Sequence, residues 1–498
     1  MRISWNERKG VMKMHIYTSE EIRRVDSLAE SNGMSPFTLM ENAGREIFRL
    51  LLPHIHKQDR VLILSGRGNN GGDGIVLARY LKLNGIKADL VFPVGMPKTA
   101  PAIQHFEYFR SLGFDQSPFQ PELKYDMIID GILGVGARLP MKEDVGKILK
   151  WINGQSGKKV AIDIPTGVLA NEGKCDQNAY RADMTIVLHG YKPSCFLFPS
   201  SDYYGKLYIA DIGLPHESKW KVWTKADVLK SWPKPKTNSH KGTYGNGLLI
   251  AGSDSMPGSV ALASIGAMRF GIGKLSVATS KHASLFVGAQ VPEATFIYEP
   301  LQDIKKMEIE KKFSCLAVGP GLEPDDPLEQ LITELLPMDI PKILDAGALR
   351  GRDYSKSQNH VIVTPHPGEF SRMTGLETKI IQENRLQVAS QYSMKHRVIV
   401  VLKGQYTVIA FPDGSGLINL TGNRALSKGG SGDILTGMLL ASVGIHSNIQ
   451  AAVANAVYLH GACADLWVQS NGSAAMTAHD FQRLLPVVCK EMEKELEE

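Results

Sequence analysis

Short runs of apolar, β-forming residues alternate with helical stretches along most of this chain, and that alternation limits what it can fold into. The runs are Val61–Leu64, Ala88–Pro93, Met127–Asp130, Val160–Ile164, Thr185–Leu188 and Leu207–Ile209. A second series comprises Leu248–Ala251, Leu275–Ala278, Cys315–Val318, Lys342–Leu344, Val361–Thr364, Val398–Leu402 and Thr407–Ala410. Near-continuous apolar strands separated by helices predict mostly parallel sheets with both faces covered. Before the first run, residues 18–57 read as helices. Ser19 with Glu20, Glu21, Ile22, Val25 and Leu28 predicts a capped amphipathic start, and Met40–Leu52 repeats the pattern. The alternation dissolves over Ile212–Pro235, with its clearest break at Trp232-Pro-Lys-Pro235, and restarts after Ser239–Gly245. A chain of 498 residues is too long for one core. Two α/β domains are therefore expected, 14–218 and 224–498, divided near residue 220.

Charge and composition exclude several classes. A formal charge of +5 over this length is mild, and the basic stretch Lys219–Lys241 reads as a linker, so no nucleic-acid partner is expected. Five scattered cysteines without metal-ligand spacing fit a reducing compartment. The polar start Met1–Lys13 has no apolar core of a secretory signal, and no apolar run is long enough to span a bilayer. The expectation is a cytoplasmic protein without a membrane partner.

Two glycine-rich loops carry the chemistry, Ser65-Gly-Arg-Gly-Asn-Asn-Gly-Gly-Asp-Gly74 and Lys428-Gly-Gly-Ser-Gly-Asp-Ile-Leu-Thr-Gly437. Each runs into a helix, where glycines let backbone N–H groups close on phosphate oxygens. Each also ends on an aspartate, an acceptor for a proton or a metal that phosphate binding alone does not need. Two active sites for phosphorylated ligands are expected.

In the first loop, Gly66-x-Gly68-x-x-Gly71 formally satisfies a dinucleotide fingerprint. A dehydrogenase also needs an acid at the end of the next strand. Here that strand ends Phe92-Pro-Val-Gly95, so hydride transfer is disfavoured. Asp130 and Asp163 stand at later strand ends, where open α/β sheets bind ligands. Asn70, Asp130, Asp163 and Thr166 then converge on one pocket whose oxygen donors suit a monovalent cation better than zinc. The alternative is that Asp130 and Asp163 merely cap the loops that follow them.

Asn69-Asn-Gly-Gly-Asp-Gly74, Asp130-x-x-x-Gly-x-Gly136 and Asp163-Ile-Pro-Thr-Gly167 together resemble the YjeF N-terminal family, the NAD(P)H-hydrate epimerases, over about residues 14–215. The resemblance implies a Rossmann-like three-layer domain. It implies that Asn69, Asn70, Gly71, Gly72 and Asp73, with Gly134, Val135, Gly136, Ala137, Arg138, Leu139 and Pro140, contact a hydrated dinucleotide. It also implies potassium at Asn70, Asp130 and Thr166, with Asp163 touching the substrate as a catalytic candidate. Thr166 stands where serine is usual, and Val135 where threonine is common.

In the second half, Gly429-Gly-Ser-Gly-Asp433 opens a predicted helix, Ile434–Val443. Backbone N–H groups there can stabilise a transferring phosphoryl group while Asp433 takes a proton from an attacking hydroxyl. Lys403 and Gly404 follow a strand, suited to nucleotide phosphate, and Thr364-Pro-His-Pro-Gly-Glu369 presents His366 and Glu369. Gly319-Pro-Gly321 either lets backbones approach closely or is simply a turn. These motifs, with His240-Lys-Gly-Thr-Tyr-Gly245, resemble the YjeF C-terminal family, ADP- or ATP-dependent NAD(P)H-hydrate dehydratases of ribokinase-like fold. That resemblance assigns nucleotide to Lys403, Gly404, Gln405, Tyr406, Thr407 and Gly432. It gives the hydrated dinucleotide to Gly321, His366 and Asp433, with Asp433 catalytic and Mg2+ arriving with ADP. Leu344-Asp-Ala-Gly347 departs from the frequent Leu-Asp-Ala-Asp, and Arg424 replaces a proline or small residue.

The two resemblances in this order imply a family of bifunctional repair enzymes acting on hydrated NADH and NADPH (NADHX, NADPHX) with ADP, and a homo-oligomer is expected. Two other readings stay open: a small-molecule kinase of a vitamin precursor in the second half, or a non-catalytic binding module in the first.

Overall fold

A computed structural model of the protein describes residues 14–234, 238–298 and 309–497. The polar start Met1–Lys13 and Pro235 of the proline break lie outside the described residues. The chain divides into two compact units, one ending at Lys219 and the other running from Trp220 to Ile381 and from Arg385 onward.

The first unit opens with the short strand β1 (His15–Ile16) and two helices, Ser19–Ser31 and Pro36–Leu51. The first helix is capped one residue earlier than its sequence predicts. Thr18, not Ser19, forms the capping box: its hydroxyl accepts from Glu21 N at 3.2 Å while Glu21 accepts from Thr18 N at 2.7 Å. Ser19 is buried, its N–H donating to Asn171.

Then follow β2 (Arg60–Ser65), β3 (Lys87–Val91), β4 (Met127–Gly131), β5 (Lys158–Ile162), β6 (Met184–Leu188) and β7 (Lys206–Ala210). They form one parallel sheet in the order β3-β2-β4-β5-β6-β7. Both faces are covered, as the uninterrupted apolar runs require. Val61 and Ile63 of β2 enter one core and Leu62 and Leu64 the other. The strand order reverses at β2, which opens a crevice beyond the carboxyl ends of β2 and β4. Two runs end earlier than expected. β3 stops at Val91 rather than Pro93. β5 stops at Ile162 because Asp163 turns to a φ of 65°.

The second unit contains β8 (Trp220–Trp223), β9 (Asn246–Ile250), β10 (Lys274–Ala278), β11 (Thr295–Ile297), β12 (Cys315–Val318) and β13 (Lys342–Leu344). These are followed by β14 (Val361–Val363), β15 (Ile399–Leu402), β16 (Thr407–Ala410) and β17 (Gly416–Asn419). Their order is β8-β17-β16-β15-β14-β13-β12-β9-β10-β11, parallel except where β16 turns back against β15 and β17. The order reverses at β9, so a second crevice lies beyond β9 and β12. The helix Ser431–Ile445 is buried from Ile434 to Val443 and lies backbone to backbone against Pro257–Phe270. A Cβ on Gly437 would stand 1.9 Å from Ala263 O.

The stretch expected to be a linker is regular structure over much of Trp220–Ser231. Trp220–Trp223 pairs with β17, and Lys225–Ser231 is a helix boxed by Thr224 and Asp227. Among its lysines, Lys225 pairs with the distant Glu495. Lys221 pairs with Asp227 at 2.7 Å and lies over the Trp223 ring. No helix among the described residues is long and apolar enough to cross a membrane.

Two candidate active sites

At the end of β2 the chain passes Gly66 and enters the helix Asn69–Leu83, whose N-cap Gly68 offers no side-chain cap. The first N–H groups are thus left for an anion. Gly71 and Gly72 serve packing. A Cβ on Gly71 would stand 2.0 Å from Gly66 O, and one on Gly72 would stand 2.3 Å from Met40 Sδ. Of the run expected to contact dinucleotide, Asn69 is exposed and Asn70 half-buried, whereas Gly71, Gly72 and Asp73 are buried.

Asn70, Asp130 and Thr166 are brought together as the sequence predicts. Thr166 donates its hydroxyl to Asp130 Oδ1 and its N–H to Oδ2, both at 2.7 Å, and Ile132 N adds a third bond. Asn70 Nδ2 donates to Leu133 O at 3.0 Å, and Leu133 N donates to Thr166 Oγ1. Asp130 is wholly buried, and burial pushes its carboxyl up to about 6 against these hydrogen bonds. No basic side chain among the described residues pairs with it. Gly134–Pro140 continues from this loop with a turn closed by Ala137 N on Gly134 O; Gly136, Arg138 and Pro140 are exposed.

Asp163 accepts from Leu188 N and from Lys192 Nζ, and Lys192 also donates to Leu188 O and Gly190 O. Burial drives the Asp73 carboxyl well above its ordinary range, with the charges of Asp163 and Asp26 adding to the effect. The charge of Lys192 acts the other way on Asp73. Lys192 and Asp26 are absent from the expected site. The signal for Lys192 is present: it is a lone charge in the apolar stretch Val187–Pro199, and it is 1% exposed.

In the second unit, successive strand ends supply the site. Asp345 follows β13 and is buried. Its Oδ1 accepts from Thr364 Oγ1 at 2.7 Å and Lys403 Nζ at 2.9 Å, and its Oδ2 accepts from Thr436 Oγ1 at 2.7 Å. Burial opposes the charge on Asp345, but Lys403 and the threonine hydroxyls hold its carboxyl below the usual range. Glu369 Oε2 lies 3.8 Å from Lys403 Nζ. His366 caps the helix Pro367–Thr374, accepting from Gly368 N and Glu369 N, while Glu369 accepts from His366 N at 2.7 Å. His366 therefore reaches the cluster through Glu369, and its own ring is exposed.

The Gly430–Asp433 turn completes the site. The helix starts at Ser431, earlier than Ile434, because Gly430 takes a φ of 88° as its N-cap. A Cβ on Gly432 would stand 3.5 Å from Lys403 Nζ. Asp433 is pushed up to about 6, first by burial and then by the charge of Asp345; a bond from Ser259 and the charge of Lys403 oppose this. Gly321, at a φ of 68°, brings its backbone against Ser259 and Gly252, and Gly252 N donates to Pro320 O at 2.7 Å. Close approach is thus the role of Gly319-Pro-Gly321. In the stretch Lys403–Thr407, Gly404 and Gln405 are exposed, Thr407 is half-buried and the Tyr406 side chain is buried.

The two departures from the family pattern in the second half have local settings. A Cβ on Gly347 would stand 2.1 Å from Leu322 O, so no carboxylate fits there without a backbone shift. Arg424 is exposed and donates to Ser473 at 2.7 Å. Asp345 is absent from the expected site, although it carries the same signal that picked out Asp130, an acid at a strand end.

Two mostly parallel sheets, each with polar residues gathered beyond its strand ends and an uncapped glycine turn entering a helix, define a two-unit α/β enzyme. Residues 36–194 match the family described as YjeF-related protein N-terminus, and residues 247–487 the family described as NAD(P)H-hydrate dehydratase. A bifunctional NAD(P)H-hydrate repair enzyme from Moorella thermoacetica is 32% identical, the alignment covering 97% of this chain and 98% of that protein. The crystal structure of the ADP/ATP-dependent NAD(P)H-hydrate dehydratase of Bacillus subtilis is 45% identical over 55% of this chain and 98% of its own, with a TM-score of 0.53. A ribokinase-like superfamily protein from Enterococcus faecalis has the same fold at 21% identity, with a TM-score of 0.50 over 56% of this chain and 98% of its own. The chain belongs to the family of bifunctional NAD(P)H-hydrate repair enzymes.

Proposed function

We propose that residues 14–218 carry the epimerase and the second unit carries the ADP-dependent dehydratase, each working at the site described for it. The substrate is a reduced nicotinamide with water added across a ring double bond, which leaves a hydroxyl on the carbon next to nitrogen. That carbon has R and S forms, and one chiral dehydration site fits one hand, so an epimerase makes both usable.

The observation that carries the reading is the cluster around Lys403. One ammonium, held between Asp345 and Glu369, stands beside the glycine turn that ends in Asp433. Asp433 takes the proton of the substrate hydroxyl as its oxygen bonds to the β-phosphorus of ADP. The bond from that phosphorus to the bridging oxygen breaks, and AMP leaves. Phosphate then departs with the carbon–oxygen electron pair while the neighbouring carbon loses a proton, which restores the ring of NADH or NADPH. Lys403–Thr407 and Gly432 take the nucleotide; Gly321 and His366 take the dinucleotide. Mg2+ enters with ADP, held largely by the phosphates.

At the first site, Asn69 and Asn70 with Gly134–Pro140 take the dinucleotide. Inversion needs the hydroxyl proton removed as the carbon–nitrogen bond opens, its electron pair going to nitrogen, which takes up a proton. The aldehyde then closes again from its other face. Asp163 is the base, and Asp73, whose neutral form burial favours, supplies the proton to nitrogen. Potassium fits at Asn70, Asp130 and Thr166. The donors are all oxygen, and the buried carboxylate of Asp130 lacks a basic partner among the described residues. A cation there would offset that charge and the pyrophosphate. The free cysteines agree with a cytoplasmic setting, and we take the working form to be a homo-oligomer.

The test is to supply the R,S mixture of hydrated NADH with and without ADP and follow the absorbance of the reduced ring. Full recovery with ADP is expected, beyond the S fraction alone. A stable phosphorylated alcohol by mass analysis, with no recovery, would instead support a small-molecule kinase.

A further inference from the structure

Lys403 arrives at the nucleotide turn from the end of β15, and among the described residues the partners of its ammonium come from other elements. Asp345, at the end of β13, is 2% exposed and shares its two oxygens among three donors from three other elements: Thr364 after β14, Lys403 after β15 and Thr436 inside the helix Ser431–Ile445. Thr436 also bonds Gly432 O, in the turn beside which the Lys403 ammonium stands. One buried carboxylate thereby ties the lysine and the first turn of the phosphoryl-binding helix to a common point.

We propose that Asp345 is a positioning residue of the phosphoryl-transfer step, holding the Lys403 ammonium and the Gly430–Asp433 turn in one fixed arrangement. The inference rests on the dehydratase reading of this site. Asp345 is buried and bonded to Lys403 and Thr436, so it acts through the lysine and the helix. The groups that face Asp433 are Ser259 from the helix Pro257–Phe270, Asp345, Lys403 and Glu369. Removing the charge of Asp345 takes one negative charge from the surroundings of Asp433 and leaves Lys403 compensated by Glu369 alone, so the Asp433 proton is released at lower pH.

The experiment uses the full chain with the S hydrate, ADP and Mg2+, and follows nucleotide turnover across pH for wild type, Asp345→Asn, Lys403→Met and the double variant. Asp345→Asn should lower kcat by about 10–100-fold, the scale of a small misplacement of reacting groups, with a much smaller change in KM for ADP. The acid limb of its kcat/KM profile should move to lower pH. Adding D345N to K403M should cost little further, because the carboxylate acts through the lysine. Losses that multiply, or an acid limb that stays in place, would overturn the proposal. Should Asp345→Asn not fold, Thr364→Val with Thr436→Val frees the carboxylate without removing its charge and carries the same cycle on kcat, its acid limb then staying in place. If the wild type turns over nucleotide only with another alcohol, the dehydratase reading falls, and the same cycle on that acceptor still decides the role of Asp345.

Discussion

Thr166 donates to both oxygens of Asp130, its hydroxyl to one and its N–H to the other, each at 2.7 Å. The carboxylate is thereby locked in orientation but not neutralised, since hydroxyl and amide dipoles bring no net charge. A buried charge without a counter-charge shifts toward its neutral form.

The sign of the consequence follows from that shift. With its folded-state value raised from 3.8 to about 6, the stability tied to Asp130 is fully present below about pH 4 and is lost as pH rises through 6. The full cost is on the order of 3 kcal/mol by pH 7. A potassium ion at the site would recover part of it. Melting temperature should therefore fall less between pH 5 and 7 in potassium chloride than in tetramethylammonium chloride, and Asp130→Asn should erase the difference. Equal slopes in both salts for the wild type would remove the cation from this site.

Asp433→Asn should abolish recovery of NADH from the S hydrate, by about 10²–10⁴-fold, while nucleotide still binds. The wild-type kcat/KM should rise with pH through about 6, because the base works only when ionised. Calorimetry of ADP binding together with the rate measurement checks both halves. Activity within about threefold of wild type would take Asp433 out of the mechanism.

What was legible in the sequence had a local signature. The glycine loops, Asp433 and the acids at the ends of β4 and β5 are marked by residues a few positions away, and the apolar runs gave most strands. What was hidden depended on distant partners. Asp345 matters because Thr364, Lys403 and Thr436 converge on it from far along the chain. Lys192 matters because its loop returns to Asp163. The β8 strand was masked by Lys221 and the basic residues around it, and β17 by Gly416 and Asn419, residue types that strands disfavour. The cap shift from Ser19 to Thr18 is a choice between two adjacent hydroxyls that tertiary contact with Asn171 decided.

Lys192→Met should keep the first unit folded yet stop interconversion of R and S hydrates. The lysine is 1% exposed and compensates Asp163 directly, with Asp26 and Asp73 nearby. Removing it leaves a buried carboxylate unpaired, which typically costs about 3–5 kcal/mol when one partner of a buried pair is lost. Melting should drop accordingly, and the loss should be milder at low pH, where burial favours the neutral forms of the neighbouring Asp73 and Asp26. The checks are NMR of the hydrate epimers without ADP and a melting series from pH 5 to 8. Normal epimerisation in this variant would remove Lys192 from the site.

The last prediction concerns where the second unit begins. A fragment starting at Thr224 loses β8, whereas one starting at Trp220 keeps it. Val222 is 2% exposed, and Trp223 Nε1 donates to Asn455 at 3.0 Å, so the strand is part of the unit's packing. Burial of one such aliphatic side chain contributes about 1.5–3 kcal/mol, and the indole bond adds about 1 kcal/mol. Loss of β8 also leaves the backbone of β17 unpaired along that edge. The Trp220 fragment should dehydrate the S hydrate with ADP without the first unit. The Thr224 fragment should unfold at a lower urea concentration, with a stability loss of about 2–4 kcal/mol. Coincident urea midpoints for the two fragments would mean that β8 contributes nothing to the unit, and the boundary would then lie after Trp223.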